Sequence, residues 1–273
     1  MRSVLVTGCS SGIGLATSEM LNARGWRVIA SARKPDDVAQ LKARGLDAVR
    51  LDVADSASIR QALAETLALT GGTLDALVNN AGMAIPGAVE DLSREILLRQ
   101  FDVNFFGLLE LTRAVLPVMH RQGRGRIVMV SSILGRVAMP WRGAYNASKF
   151  ALEGITDTLR LELRGNAIHV ALVNPGPVRS RFRDNSLGNF DAQVDASGSV
   201  HAADYARLRA ETGARKDHQP FTVGPEAVAA KIARALESAR PKARYYVTVP
   251  AYVLATARCI LPTTWLDAVL ARI

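Results

Sequence analysis

Short apolar segments alternate with longer helical patterns along almost the whole chain, and this alternation constrains the fold more than any other feature. The short segments are nearly continuous in apolar residues, which is typical of strands buried on both faces of a sheet. The predicted strands are Ser3–Val6, Arg27–Ser31, Ala48–Leu51, Leu74–Val78, Arg126–Val130, Ile168–Val173 and Tyr245–Val249. The predicted helices are Gly12–Arg24, Asp36–Arg44, Ser56–Leu69, Arg94–His120, Ala144–Leu163 and Pro225–Ala239.

Repeated strand–helix alternation favours a parallel sheet, and right-handed crossovers would place helices on both of its faces. The sequence therefore predicts an α/β fold with a single Rossmann-type, doubly wound parallel sheet of about seven strands. We expect residues 1–273 to form one domain, because no linker divides them. With 273 residues, 49% of them hydrophobic, the chain can bury a core without a metal or a disulfide.

Two segments break the alternation. Residues 179–222 form a long polar insert rich in Asp, Ser, Gly and Arg, and its position after a strand's carboxyl end favours a substrate lid over a disordered surface excursion. Residues 251–273 form an apolar C-terminal extension interrupted by Arg258, Pro262 and Asp267. We expect the extension to pack on the domain or on a partner subunit, with a pocket cover or a peripheral membrane contact as alternatives.

Charge and cysteine usage narrow the possible partners. The sequence contains 34 Lys and Arg against 25 Asp and Glu, a net charge of +9. The basic residues are scattered and match no nucleic-acid-binding motif, so we expect no nucleic-acid partner. Cys9 and Cys259 stand alone, which favours the reducing cytoplasm, and the four histidines show no metal-ligand spacing, so we expect no metal. We also expect no targeting segment and no transmembrane segment.

A glycine-rich turn follows the first predicted strand and begins the first predicted helix. Its sequence is Thr7-Gly8-Cys9-Ser10-Ser11-Gly12-Ile13-Gly14. Glycines allow a tight turn and the close approach of a pyrophosphate to a helix N-terminus, where free N–H groups favour anions. The alternative is an ordinary tight turn. The strand–turn–helix context favours a dinucleotide site.

The end of the second predicted strand bears on the choice of cofactor. NAD-binding proteins usually place an acid here to hold the ribose 2′-hydroxyl, whereas this chain has Ala32 followed by Arg33. A guanidinium is permanently charged and binds a 2′-phosphate well. The sequence therefore predicts NADP(H) in preference to NAD(H). The alternative is that Arg33 simply faces solvent.

Tyr145 and Lys149 are four residues apart in a predicted helix, so they share one face. A nearby ammonium favours the phenolate, and we expect it to lower the tyrosine pKa toward neutrality. Tyr145 is then a candidate general acid/base for a hydroxyl or a carbonyl. The alternative is an exposed helix face with no chemical role.

Together these residues resemble the short-chain dehydrogenases/reductases across residues 3–250, and most closely the NADP-using hydroxysteroid and retinol dehydrogenase branch. The similar motifs are the Thr7–Gly14 turn, Leu51-Asp52-Val53, Asn79-Asn80-Ala81-Gly82, Asn104, Ser132 thirteen residues before Tyr145, and Pro175-Gly176-Pro177-Val178. Where the family often has threonine, two residues after the last motif, this chain has Ser180, which lacks the methyl group that stiffens χ1.

The resemblance implies roles for these residues. Ser132 would hold the substrate oxygen, Tyr145 would pass the proton, Lys149 would lower the tyrosine pKa and hold the nicotinamide ribose, and Asn104 would support a water chain to solvent. The residues expected to bind the cofactor are Gly8, Ser10, Ser11, Gly12, Ile13, Gly14, Arg33, Asp52, Val53, Asn80, Ala81, Gly82, Tyr145, Lys149, Pro175, Gly176, Val178 and Ser180. The resemblance also implies a homodimer or homotetramer formed through helices Arg94–His120 and Ala144–Leu163.

The expected substrate is a small hydrophobic carbonyl compound or alcohol. The candidate substrate wall is apolar and comprises Leu134, Val137, Met139, Trp141, Pro177 and Phe182, each of which could instead be core. Two other functions remain open. A 3-ketoacyl-thioester reductase of lipid metabolism would resemble a shorter version of the fold, and a non-catalytic dinucleotide sensor would not need the Asn–Ser–Tyr–Lys set.

Overall fold

A seven-stranded parallel sheet forms the centre of the protein, in a computed structural model that describes residues 1–214 and 221–272. The strands are β1 (Ser3–Val6), β2 (Arg27–Ala32), β3 (Asp47–Arg50), β4 (Ala76–Asn79), β5 (Gly125–Val130), β6 (Ile168–Asn174) and β7 (Arg244–Tyr246). They lie in the order β3-β2-β1-β4-β5-β6-β7, so the direction of winding reverses beside β1. The predicted doubly wound parallel sheet is confirmed.

Helices cover both faces of the sheet. They are α1 (Gly12–Ala23), α2 (Pro35–Ala43), α3 (Ser56–Thr70), α4 (Arg94–Phe101), α5 (Gly107–Arg121), α6 (Gly143–Glu162), α7 (Phe182–Gln193), α8 (Ala202–Ala214), α9 (Pro225–Glu237), α10 (Val249–Ile260) and α11 (Thr263–Leu270). Because successive strand residues point to opposite faces, Val4 packs in one core with Leu21 of α1 and Ile232 of α9. Leu5 packs in a second core with residues of α3, α5 and α6.

The predicted helix Arg94–His120 forms without a break but is not a regular α-helix throughout. Between α4 and α5, residues Asp102–Phe106 form a wider π-helical turn. Such a turn inserts an extra residue and rotates the helix face. Asn104 lies in this turn and is completely buried, so the extra residue turns a polar side chain toward the carboxyl edge of the sheet.

The insert, residues 179–222, contains regular structure in its described part. Helices α7 and α8 occupy it, and they contribute Phe190 and Tyr205 to a small core with Ile85 and Ile96. Few other insert residues are buried, so the apolar periodicity that usually reveals a helix is weak here. Residues 215–220 of the insert, with His218 among them, and Ile273 of the extension lie outside the described residues.

The C-terminal extension forms α10 and α11. The predicted strand Tyr245–Val249 ends at Tyr246, because Thr248 caps α10 by accepting a hydrogen bond from the Ala251 N–H at 3.3 Å. Leu254, Leu266 and Leu270 pack against residues that follow β5, among them Ile133 and Val137. The opposite side of the two helices leaves apolar side chains exposed, namely Val249, Tyr252, Val253, Ile260, Trp265 and Val269. None of the helices in the described residues is long and apolar enough to cross a bilayer.

Candidate active site

All of the polar motifs lie at one edge of the sheet. The glycine-rich turn follows β1, Arg33 follows β2, and Asp52 follows β3. Asn80, Ser132 and Pro175 follow β4, β5 and β6 in the same way. Because the strands are parallel, their carboxyl ends meet at this edge, and the crevice beside the reversal at β1 is where such sheets bind ligands.

The glycine-rich turn is held tightly against the segment after β4. Gly8 has φ +73°, a left-handed conformation that favours glycine. A Cβ on Gly14 would lie 2.2 Å from the Gly8 carbonyl oxygen and 2.7 Å from Asn80 Nδ2. Asn80 Nδ2 donates to the carbonyl oxygens of Thr7 at 2.8 Å and Gly8 at 3.2 Å, and Thr7 Oγ1 accepts from the N–H groups of Asn80 and Ala81. The turn therefore has one shape, fixed by backbone contacts.

The N-terminus of α1 is open at this turn. Ser11 is the N-cap residue, but its side chain makes no capping hydrogen bond. The free N–H groups of the first helical turn and the helix dipole both favour an anion. Ser10, Gly12 and Ile13 are half-buried around it. These features fit the pyrophosphate of a dinucleotide.

The residues expected at the adenosine end also lie at this edge. Asp52 is half-buried, its Oδ1 accepts from the Ala54 N–H at 3.0 Å, and its own N–H donates to Ser58 Oγ at 2.9 Å. Val53 is buried. Arg33 is exposed, and its carbonyl oxygen accepts a hydrogen bond from Arg50 Nε at 3.3 Å. Its guanidinium is therefore accessible to a ligand.

Ser132, Tyr145 and Lys149 lie together. Tyr145 is hydrogen-bonded to Ser132, and the positive charge of Arg142 lowers the pKa of its phenol. Lys149 Nζ lies 5.7 Å from the centre of the Tyr145 ring and donates to the Val130 carbonyl oxygen at 2.9 Å. Helix α6 brings the phenol and the ammonium onto one face, and the end of β5 supplies the serine.

The direction of the tyrosine pKa shift differs from the one that the sequence predicts. Burial raises the pKa of Tyr145 to about 12, although the hydrogen bond to Ser132 and the charge of Arg142 both lower it. Burial also lowers the pKa of Lys149 to about 8, against the charge of Glu153, which raises it. The prediction considered the neighbouring ammonium but not the removal of the phenol from water, which disfavours its charged form. Tyr145 therefore holds its proton at neutral pH.

Asn104 supports this group from the π-helical turn. Its Oδ1 accepts from the Met83 N–H at 2.8 Å, and its Nδ2 donates to the Met83 carbonyl oxygen at 2.9 Å and to Ser148 Oγ at 3.1 Å. A Cβ on Gly82 would lie 3.4 Å from Asn104 Oδ1 and 3.8 Å from Lys149 Nζ. The bare backbone of Gly82 therefore separates the amide from the ammonium.

The segment after β6 completes the edge. The Pro175 carbonyl oxygen accepts from the Ile133 N–H at 2.9 Å. This bond joins the segment to Ser132 and the short turn Ile133–Gly135 that follows it, which we call the Ser132 turn. A Cβ on Gly176 would lie 2.1 Å from Thr248 Oγ1, so α10 begins in close contact with it. Val178 pairs with Val223 in a short bridge, and Ser180 Oγ accepts from the Phe182 N–H at 3.4 Å. A Cβ on Gly12 would lie 3.2 Å from Ser180 Cβ, so Ser180 reaches the glycine-rich turn.

The candidate substrate residues divide into two groups. Phe182 lies edge-on to Tyr145, with ring centres 5.7 Å apart, and Trp141 contacts His201 and Tyr205 of the insert. Met139, Leu134 and Pro177 are half-buried. Val137, by contrast, is almost completely buried under the C-terminal helices and belongs to the core. The insert also contacts the glycine-rich turn, because Arg181 Nη2 donates to the Ser10 carbonyl oxygen at 3.0 Å.

Three polar residues next to this group, two of them buried and one half-buried, were missed by the sequence analysis. Glu153, Asn174 and Arg244 form a hydrogen-bonded chain behind Ser132 and Lys149. Glu153 has a local signal, since it follows Lys149 by one helical turn, but the other two are distant in sequence. Within the described part of the chain, no group of three His, Cys, Asp or Glu side chains could hold a metal ion.

Known proteins resemble this chain along nearly its whole length. A family model for the short chain dehydrogenases matches residues 2–189. The uncharacterized oxidoreductase YbbO of Escherichia coli (strain K12) is 41% identical over 269 residues, which cover 98% of this chain and 94% of YbbO. Retinol dehydrogenase 8 of Homo sapiens is 33% identical over 269 residues, covering 95% and 85%. A short chain dehydrogenase/reductase from Burkholderia phymatum, solved in complex with NAD, has a TM-score of 0.79 at 26% identity, covering 94% and 92%.

The chain therefore belongs to the short-chain dehydrogenase/reductase family, as its motifs indicate. It is an oxidoreductase that acts on CH–OH groups with a nicotinamide dinucleotide. The sheet, the open N-terminus of α1 and the Ser132–Tyr145–Lys149 group fit this class.

Proposed function

We propose that the protein is an NADP(H)-dependent oxidoreductase that interconverts a hydrophobic ketone or aldehyde with its alcohol, using Tyr145 as the general acid/base. The observation that carries the proposal is the protonated phenol of the half-buried Tyr145, hydrogen-bonded to Ser132 and placed beside the Lys149 ammonium. Ser132, Tyr145, Lys149 and Asn104 are the residues that we assign to catalysis.

The chain's own residues would divide the work as follows. The Ser132 hydroxyl and the Tyr145 phenol hold the carbonyl oxygen, and the N-terminus of α1 with the glycine-rich turn holds the pyrophosphate. The nicotinamide supplies the hydride that reaches the carbonyl carbon. As negative charge develops on the oxygen, Tyr145 donates its proton, and the Lys149 ammonium stabilises the phenolate that remains. The bonds of Asn104 to Met83 and Ser148 hold the π-helical turn beside Lys149.

The pKa of Tyr145 bears on how the rates of reduction and oxidation depend on pH. A general acid must carry its proton before the reaction, and burial raises the pKa of Tyr145 to about 12. Oxidation of an alcohol needs the phenolate instead, which forms more readily at alkaline pH. Tyr145 is therefore ready to act as the acid of a carbonyl reductase at neutral pH, whereas alcohol oxidation should be faster at alkaline pH.

A hydrophobic substrate is supported by the apolar side chains near Tyr145 and by the similarity to retinol dehydrogenase 8, whose name refers to an apolar alcohol. We infer that the insert is the substrate lid, because Arg181 donates a hydrogen bond to the glycine-rich turn and Tyr205 packs on Trp141.

The exposed apolar residues of α4 to α6 support a homodimer or homotetramer. They are Leu97, Leu98, Phe106, Phe150 and Leu161. The exposed side of α10 and α11 leaves a peripheral membrane contact open. Two isolated cysteines favour the cytoplasm.

Two other functions are weaker. A 3-ketoacyl-thioester reductase would need an open entrance for a long polar carrier, whereas α7 begins at Phe182 beside Tyr145 and α8 packs on Trp141 through Tyr205. A dinucleotide sensor would need no catalytic hydroxyl, so the Ser132–Tyr145 hydrogen bond has no use in it.

The test of the proposed function is NADPH oxidation against a panel of aldehydes and ketones, from small to steroid-sized. We expect kcat/KM to rise with the apolar bulk of the substrate, because the apolar wall gains contact area. An acetoacetyl thioester belongs in the same panel. If the thioester is the best substrate, the reductase of lipid metabolism is the better proposal.

The cofactor preference is tested by Arg33→Asp. A charge-assisted hydrogen bond is worth about 1.5–3 kcal/mol, so we expect the Kd for NADPH to rise about 10- to 100-fold. The Kd for NADH should stay equal or fall, because an acid suits the ribose 2′-hydroxyl. Both constants are measured by cofactor fluorescence.

The matched control is Arg121→Asp, which makes the same change in net charge on an exposed residue at the end of α5, away from the carboxyl edge of the sheet. We expect no change in the ratio of the two Kd values. If Arg33→Asp also leaves that ratio unchanged, Arg33 does not read the 2′-phosphate.

A further inference from the structure

A buried carboxylate lies directly behind the catalytic group. Glu153 follows Lys149 by four residues on α6, so the two side chains share a helix face. Only 6% of the Glu153 side chain is exposed. Its Oε1 accepts a hydrogen bond from Asn174 Nδ2 at 2.6 Å, and its Oε2 accepts from Arg244 Nε at 2.9 Å. Both carboxylate oxygens are therefore satisfied inside the protein.

Glu153 is joined to the Ser132 turn through Asn174. The same Nδ2 atom of Asn174 also donates to the Ser132 carbonyl oxygen at 3.2 Å. The turn itself packs on the carboxylate side chain, since a Cβ on Gly135 would lie 3.0 Å from Glu153 Cγ. A change at Glu153 would therefore move the backbone that carries the Ser132 hydroxyl.

Glu153 also sets the electrostatic environment of Lys149. Burial lowers the pKa of Lys149 to about 8, and the negative charge of Glu153 opposes that change. The other groups around the ammonium are the Tyr145 phenol, the Val130 carbonyl and the Gly82 backbone, with the Asn104 amide on the far side of Gly82. Tyr145 is protonated at neutral pH, and the last three groups do not titrate. Among the described residues, Glu153 is thus the carboxylate that keeps Lys149 charged.

Arg244 balances the carboxylate from the edge strand β7. It also binds Asp157, one turn further along α6, and Asp157 in turn binds Arg160. Burial raises the pKa of Asp157, but hydrogen bonds from Arg244 and Arg160 outweigh it and hold that pKa below its usual value. Asp157 therefore shares Arg244 with Glu153, but Asp157 has no contact with Asn174 or with the Ser132 turn among the hydrogen bonds of the described residues.

We propose that Glu153 is a positioning residue with two roles in the reaction: its charge keeps Lys149 an ammonium ion at neutral pH, and its bond to Asn174 holds the Ser132 turn. This inference rests on the proposed function of Ser132, Tyr145 and Lys149. It predicts that the two roles can be separated, because one depends on charge and the other on side-chain length.

The charge role is tested by Glu153→Gln, with kcat/KM for carbonyl reduction measured from pH 6 to pH 10. The wild-type rate should fall above about pH 8, as Lys149 loses its proton. Removal of the carboxylate charge should move that alkaline limb toward acid, since a nearby negative charge favours the ammonium form of Lys149. The control is Asp157→Asn, which removes the other partner of Arg244 and should leave the limb in place.

The positional role is tested by Glu153→Asp, which keeps the charge and shortens the side chain by one methylene. We expect the alkaline limb to stay at its wild-type position, while kcat falls about 10-fold or more, because loss of the Asn174 bond misplaces Ser132. If Glu153 had only a structural role, its replacement would lower the melting temperature and leave both the alkaline limb and the pH-independent kcat unchanged.

The outcomes separate the two proposals. If Glu153→Gln folds and its alkaline limb coincides with that of the wild type, the charge role is wrong. If the Gln protein does not fold, the Asp protein decides: an unchanged kcat overturns the inference, and a lower kcat with an unmoved limb supports it. If the wild type shows no turnover, or Tyr145→Phe remains active, the proposed function fails instead.

Discussion

Replacing Tyr145 with Phe is expected to lower kcat for carbonyl reduction by about 10²- to 10⁴-fold, the usual contribution of a general acid. Phe keeps the ring that packs edge-on to Phe182 at 5.7 Å and removes only the hydroxyl. Ser132 Oγ still accepts a hydrogen bond from the Leu134 N–H at 3.1 Å, so the free energy of unfolding should change by about 1 kcal/mol or less. Turnover and NADPH binding are measured on the same preparation.

If the Tyr145→Phe protein still binds NADPH, the loss of turnover comes from the missing hydroxyl and not from a damaged cofactor site. The turn that follows β1 and the N-terminus of α1 do not depend on the Tyr145 hydroxyl, so the Kd for NADPH should stay within about 3-fold of the wild type. Tyr252→Phe, which removes an exposed hydroxyl from α10, is the matched control and should change neither quantity. A Tyr145→Phe enzyme that turns over at the wild-type rate would remove Tyr145 from the reaction.

The fold and the main elements of the site were predictable because their signals are local. Each strand is a short apolar run, and each cofactor motif follows directly after one, so the parallel order of the sheet places Asn80 and Ser132 at the same edge as the turn after β1. Helical spacing placed Tyr145 and Lys149 on one face, and the resemblance to the family singled out this pair. Family membership through residues 2–189 confirms the class of enzyme that these motifs indicate.

The remaining features depend on contacts that a sequence does not show. Asp102–Phe106 continues the helical pattern on both sides, and its wider turn accompanies the bonds of Asn104 to Met83, which is 21 residues away. The direction of the Tyr145 pKa shift depends on burial rather than on spacing. Asn174 lies 21 residues from Glu153, and Arg244 lies 91 residues from it, so this chain of hydrogen bonds forms only when β6, β7 and α6 are packed.

Gly14→Ala is expected to abolish tight cofactor binding while the fold survives. A methyl group at this position would lie 2.2 Å from the Gly8 carbonyl oxygen, which is backbone and cannot rotate away. Overpacking of this kind costs about 1–3 kcal/mol. Because the displaced turn is the one that binds the pyrophosphate, we expect the Kd for NADPH to rise about 10- to 100-fold.

Gly154→Ala provides the comparison, because Gly154 is also helical but a Cβ there meets nothing within 4 Å. Alanine stabilises an exposed helix interior by about 1 kcal/mol relative to glycine, so this variant should melt at a higher temperature and bind NADPH as the wild type does. The same substitution thus has opposite expected effects at two helical positions. If Gly14→Ala also binds NADPH normally, the turn after β1 can move without loss, and the cofactor does not depend on its close contact with Asn80.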